Sequence, residues 1–62
     1  MKDLRFKHAR QLAGYTQQNL AEAANCRESL IARIESGRAR PDPATAERLS
    51  KVLNKRPFEL GI

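Results

Sequence analysis

Apolar residues recur along this chain at spacings of three and four, from Leu4 to Leu60, and β-branched residues are few. That period belongs to helices lying with one face on a core. Five helices follow from the pattern and its punctuation. The first runs from about Lys2 to Ala13, with Leu4, Phe6, Ala9, Leu12 and Ala13 as its apolar surface, and ends at Gly14. Thr16 has the hydroxyl to cap a second, Gln17 to Ala24, which buries Leu20, Ala21 and Ala24. The third spans Glu28 to Ser36, stopped by Gly37. At 100° per residue, Cys26 ahead of it and Leu30, Ile31 and Ile34 within it fall on an arc of about 140°.

Helix four has a clear start, with Asp42 as N-cap and Pro43 in the first turn, where its missing N–H costs nothing. Ala46, Leu49, Val52 and Leu53 make its buried stripe, and Asn54 ends it. A last short turn, Pro57 to Leu60, carries Phe58 and Leu60, which either close the core or meet a second subunit. The expected fold class is all-α, a compact five-helix bundle formed by residues 1–62 as a single domain.

Between Gln17 and Ser36 lies the most telling stretch. Two short amphipathic helices are joined there by a turn at Asn25-Cys26, and the second has a polar face of Glu28, Ser29, Ala32, Arg33 and Ser36. Two helices held at a steep angle by a tight turn can lay the second in the major groove of DNA. Side chains on the outer face of that helix, Arg27, Glu28, Ser29 and Arg33, are the candidates for base edges. Arg pairs with guanine O6 and N7, and Glu accepts from cytosine N4. The alternative is a merely solvated face. Arg33 could equally hold a phosphate, and Glu28 could favour the helix dipole or orient Arg27.

Charge changes the weighting. Twelve Lys and Arg against seven Asp and Glu give a net charge of +5 on 62 residues, a field that favours polyanionic partners. Other classes recede. One Cys and one His cannot complete a tetrahedral zinc site or form a disulfide. No paired acids, glycine-rich phosphate loop or Ser/His/Asp set is present, so neither an enzyme nor a cofactor is expected. No apolar run approaches the roughly 20 residues of a membrane span, and the N-terminus lacks a signal-peptide core, so the expected location is cytoplasmic. A chain of this size buries only about 60% of its unfolded surface, so stability rests on efficient packing or self-association.

The signature Phe6-Lys7-x-x-Arg10-x-x-x-Gly14-Tyr15-Thr16-Gln17-x-x-Leu20-Ala21 is followed by Ile31-x-Arg33-Ile34-Glu35-x-Gly37-x-x-x-Pro41 and an amphipathic fourth helix. In this the chain resembles the Cro/repressor (XRE-type) helix-turn-helix family, over about Phe6 to Leu60. The resemblance implies a phage-repressor-like bundle whose helices two and three form the motif, and homodimeric binding to a short palindromic operator in double-stranded DNA. It implies that Arg10 and Glu35 form a structural ion pair, that Gln17 bonds the DNA backbone, and that the loop of Arg38 and Arg40 meets phosphates. Gln18, beside Gln17 at the start of helix two, is a further candidate for phosphate. Dimerisation is expected around Arg56 and Phe58.

Two positions depart from the family pattern. Asn25 stands where Gly is usual in the turn, and Asn is the next most tolerant residue of positive φ. Arg27 stands where Ser or Thr often caps helix three, so a side-chain cap is lost, while an Arg there can reach DNA. Lys7 and His8 are expected on the surface and Cys26 as a small buried group. Leu30 either completes the core or meets a thymine methyl. The expected function is a transcriptional regulator, a repressor, with no membrane and no small-molecule ligand. An antitoxin-type autoregulator or a protein-interaction adaptor are the alternatives on the same fold.

Overall fold

The computed structural model describes residues 3–62 and, among them, consists of five helices: α1 (Arg5–Leu12), α2 (Gln17–Ala23), α3 (Glu28–Ser36), α4 (Pro43–Leu53) and α5 (Pro57–Leu60). They pack into a body of 28 × 21 × 20 Å. The core is a cluster of Phe6, Leu20, Ala21, Ala24, Ile31, Ile34, Leu49, Leu53 and Leu60, drawn from all five helices. Leu20, Ala24, Ile31 and Leu49 are wholly buried, and the small Ala21 in α2 and Ala24 at its C-cap let α3 lie close against α2.

Local chemistry accounts for most boundaries. Thr16 caps α2, its Oγ1 accepting from Asn19 N–H at 3.0 Å. Gly37 closes α3 with φ of 80°, and Asn54 closes α4 with φ of 53°. Both are left-handed conformations that release the chain from the helix. Pro43 and Pro57 start α4 and α5.

Several expectations need correction. The predicted start of α1 at Lys2 lies outside the described residues, and the helix itself begins only at Arg5. Asp3 is the cause. Its carboxylate accepts from Arg5 N–H at 3.0 Å, a local side-chain bond that replaces a helical turn. The apolar face of α1 is also narrower than predicted. Phe6 and Arg10 are buried and Ala9 half-buried, whereas Leu4, Leu12 and Ala13 are exposed, Leu12 by 86%. Leu12 lies about 200° around the helix from Arg10, so burial of that arginine turns the leucine to solvent.

At α4, Asp42 holds the N-cap position, but its carboxylate accepts from the Thr45 hydroxyl and not from a backbone N–H. The stripe of α4 is Thr45, Leu49 and Leu53, fully buried, while Ala46 and Val52 are only half-buried. Leu60 closes the core, and Phe58 remains 67% exposed.

Candidate nucleic-acid interface

Arginine 10 supplies the rigidity of the motif. Its Nε donates to Glu35 Oε2 at 2.6 Å, Nη2 to Glu35 Oε1 at 3.2 Å, and Nη1 to the Tyr15 carbonyl at 2.8 Å. Both side chains are about nine-tenths buried. A fork-on-fork pair of this kind fixes orientation as well as distance. It ties α1 and the loop before α2 to the last turn of α3. Gln17 joins the same network, its Nε2 donating to Glu35 Oε1 at 3.1 Å. One side-chain amide N–H of the predicted phosphate residue is therefore turned inward, and Gln17 is half-buried while Gln18 is exposed.

The turn between α2 and α3 is held differently. Asn25 takes a left-handed conformation with φ of 55°, the value a glycine would adopt freely. Cys26 N–H returns to the Ala21 carbonyl at 2.9 Å. Arg27 occupies the N-cap of α3 in an extended conformation and, as its chemistry requires, makes no side-chain cap. Cys26, expected as a small buried group, is half-buried against the core and also lines a groove with Ser29, Leu30 and Arg48. Burial pushes its thiol above the usual pKa, more than the nearby Arg48 charge pulls it down, so the sulfur stays protonated and weakly nucleophilic at neutral pH.

From that turn α3 presents its outer face. Arg27, Glu28, Ser29, Ala32 and Arg33 are all exposed, and Ile31 and Ile34 beneath them are buried. Ser36 is half-buried, its hydroxyl donating to the Arg33 carbonyl at 3.1 Å. Leu30 is half-buried against the core, between the two placements expected for it. Arg27, Ser29 and Arg33 line one open groove of about 400 Å³ together with Leu30, Thr45 and Arg48. Its wall holds three guanidinium groups and no carboxylate.

Not every candidate converges there. The loop after α3 is folded back by Arg38 N–H and Ala39 N–H, which donate to the Arg33 carbonyl at 2.9 and 3.3 Å. Arg38 and Arg40 are exposed, but Arg40 lines a separate cleft with Asp3, Ile34, Gly37 and Gly61. Arg56 holds the N-cap position of α5 and Phe58 lies within it. Arg56 borders an open groove of about 700 Å³ between α4 and α5, lined also by Ala46, Ser50, Asn54 and Pro57.

Two arginines escaped the sequence reading. Arg48 donates from Nε to the Ala24 carbonyl at 2.8 Å and from Nη2 to Thr45 Oγ1 at 3.1 Å, joining α4 to the end of α2. Its signal was present, since Thr45, Arg48, Leu49 and Val52 follow the spacing of one helical face, and an arginine on such a face needs an acceptor. Arg5 pairs with Asp3 and donates from Nη1 to the Phe58 carbonyl at 2.8 Å, pinning α5. Hydrogen bonds from the Arg5 side chain and backbone, aided by its charge, hold the Asp3 carboxyl down at about 2.

Comparison with known proteins agrees with this architecture. A family model described as helix-turn-helix matches residues 6–60. No curated protein matches the chain. Among solved structures, the restriction-modification controller protein C.AhdI from Aeromonas hydrophila superposes with a TM-score of 0.83 at 24% identity, covering 92% of this chain and 86% of that one. At that identity the likeness is one of fold.

Proposed function

The chain belongs to the Cro/repressor (XRE-type) helix-turn-helix family, and on that premise we propose that it is a DNA-binding transcriptional regulator, a repressor acting as a homodimer on a short palindromic operator. The observation that carries the reading is the outer face of α3. Four side chains suited to base edges stand exposed on a helix whose other face is locked into the core by Ile31, Ile34 and the Arg10–Glu35 pair. Rigid presentation matters, because base readout depends on bidentate geometry, with each good pair contributing about 1–3 kcal/mol of discrimination.

In this reading Arg27, Glu28, Ser29 and Arg33 enter the major groove. Arg38, Arg40, Gln18 and the start of α2 at Gln17 set affinity and register on phosphates without reading sequence. Size supports the dimeric reading. A body 28 Å long covers one half-site, and successive major-groove faces lie about 34 Å apart, so two copies are needed to read both. Phe58 and Arg56, at the exposed edge of α5, are the contacts assigned to that dimer.

Enrichment of random duplexes on the purified protein tests the proposal. A symmetric consensus, with two protein chains per duplex at saturation, is the expected result. If about six phosphates are neutralised per dimer, log K falls with log salt at a slope near −5. Absence of any enriched sequence, or binding indifferent to salt, would defeat it.

A further inference from the structure

Recognition through α3 leaves one half-buried charge without a role. Arg48 lies on α4, outside the motif, yet its guanidinium reaches back to the turn from which α3 departs. We propose that Arg48 is a positioning residue for sequence readout: through the Ala24 carbonyl it fixes the α2–α3 turn, and so the angle at which Arg27, Ser29 and Arg33 are presented. The inference rests on the DNA-binding reading given above.

On its α2 side the turn is closed by Cys26 N–H to the Ala21 carbonyl at 2.9 Å and Asn25 N–H to the Glu22 carbonyl at 3.2 Å, but its α3 side, at Arg27, has no side-chain cap. Asn25 bears a left-handed conformation without being glycine. The Ala24 carbonyl, just past the last residue of α2, meets no backbone N–H among the described residues. Ala24 is wholly buried, so that carbonyl needs a partner from elsewhere in the fold. Arg48 Nε provides it at 2.8 Å, a charge-assisted bond.

The arginine is itself aimed. Its Nη2 donates to Thr45 Oγ1, and the Thr45 hydroxyl donates onward to Asp42 Oδ1. Thr45 is 5% exposed, so the relay is anchored in the packed face of α4. Nε and Nη2 lie on one edge of a planar group, so the two bonds fix both position and tilt. A lysine ammonium carries the same charge without that fork. The relay therefore links the N-cap residue of α4 to the C-cap residue of α2.

The experiment separates this role from a phosphate contact. Affinities for the selected operator and for a random duplex, with the salt slope of each, are measured for the native protein, Arg48→Lys and Thr45→Val. In Arg48→Lys operator affinity is expected to fall about tenfold, the scale of losing a hydrogen bond to a charged group, while random-duplex affinity and salt slope stay native. Thr45→Val is expected to shift in the same direction by less, with every charge retained. Exchange of the Cys26 amide, bonded to Ala21, should quicken in both variants relative to the amides of α4.

Native discrimination in Arg48→Lys overturns the proposal, as does an equal loss on both duplexes. Should Arg48→Lys melt below the assay temperature, Thr45→Val and its amide exchange decide by the same criteria. A native protein that selects no sequence sinks the reading of α3 and this role together. Selection by the native protein with unchanged selection in the variants sinks only the role of Arg48.

Discussion

The two ends of this molecule treat their arginines in opposite ways. At the α2–α3 end, Arg10 is nine-tenths buried, with each of its three guanidinium nitrogens bonded, and its partner Glu35 is buried with it. At the α5 end, Arg5 and Asp3 form a pair that is about half exposed, beside a phenylalanine left in solvent. A buried pair is expensive to break and holds one geometry, whereas an exposed pair is screened and contributes little. The difference divides the labour. One end is finished and stiff, suited to presenting a fixed pattern, and the other carries unsatisfied apolar surface suited to a second copy.

Breaking the stiff end should show the largest effect. Glu35→Ala leaves the Arg10 charge buried without its partner and is expected to destabilise the fold by about 3–5 kcal/mol, read by urea denaturation. Replacing both residues together, Arg10→Met with Glu35→Leu, should cost much less than the sum of the single changes, which a double-mutant cycle would measure. Additive losses would show that the pair is not one unit.

Next in size are the presented side chains. Arg27→Ala and Arg33→Ala are each expected to lose about 1–3 kcal/mol of discrimination between operator and mismatched duplex, with stability changed by under about 0.5 kcal/mol. Competition binding alongside thermal melts separates these effects. A uniform weakening on every duplex, with a shallower salt slope, would move that residue from base edge to phosphate.

The open end should respond the other way. Phe58→Ser is expected to change the stability of the monomer by under about 0.5 kcal/mol and to abolish the proposed complex of two chains per duplex, as sedimentation would read. Persistence of that complex would place the dimer contact elsewhere.

Acid gives the smallest and most general effect. Asp3 and Asp42 both titrate below the usual carboxylate value, Asp3 because of Arg5 and Asp42 because of the Thr45 hydroxyl. A group whose folded pKa is depressed adds stability above its unfolded pKa, and that part is lost as pH falls through the folded value. Melting temperature should therefore decline from about pH 4 toward pH 2, and the decline should be shallower in Asp42→Asn.

Most of the helices could be read from the chain because their stops are chemical. Thr16, Gly37, Pro43, Asn54 and Pro57 each act through their own backbone or a neighbour, so their effect is visible locally. α3 fell within its predicted limits for that reason. What could not be read depended on distant partners. Leu12 looks like a core residue until Arg10 is seen to occupy the inward face, and Thr45 looks like surface until Arg48 and Asp42 bond it. At the candidate interface, the exposed row on α3 followed from helical period. The inward turn of Gln17 onto Glu35 and the separation of Arg40 from the α3 groove did not, since both are set by tertiary folding.

Gly61 closes against Asp3 so tightly that a side chain there would collide with the carboxylate. The Asp3 side chain thus lies against Gly61 beside the cleft of Ile34 and Arg40. A side chain at Gly61 would have to push aside the Asp3 carboxylate and the Arg5 guanidinium that holds the Phe58 carbonyl, loosening the seam by which the residues ahead of α1 dock on the last helix.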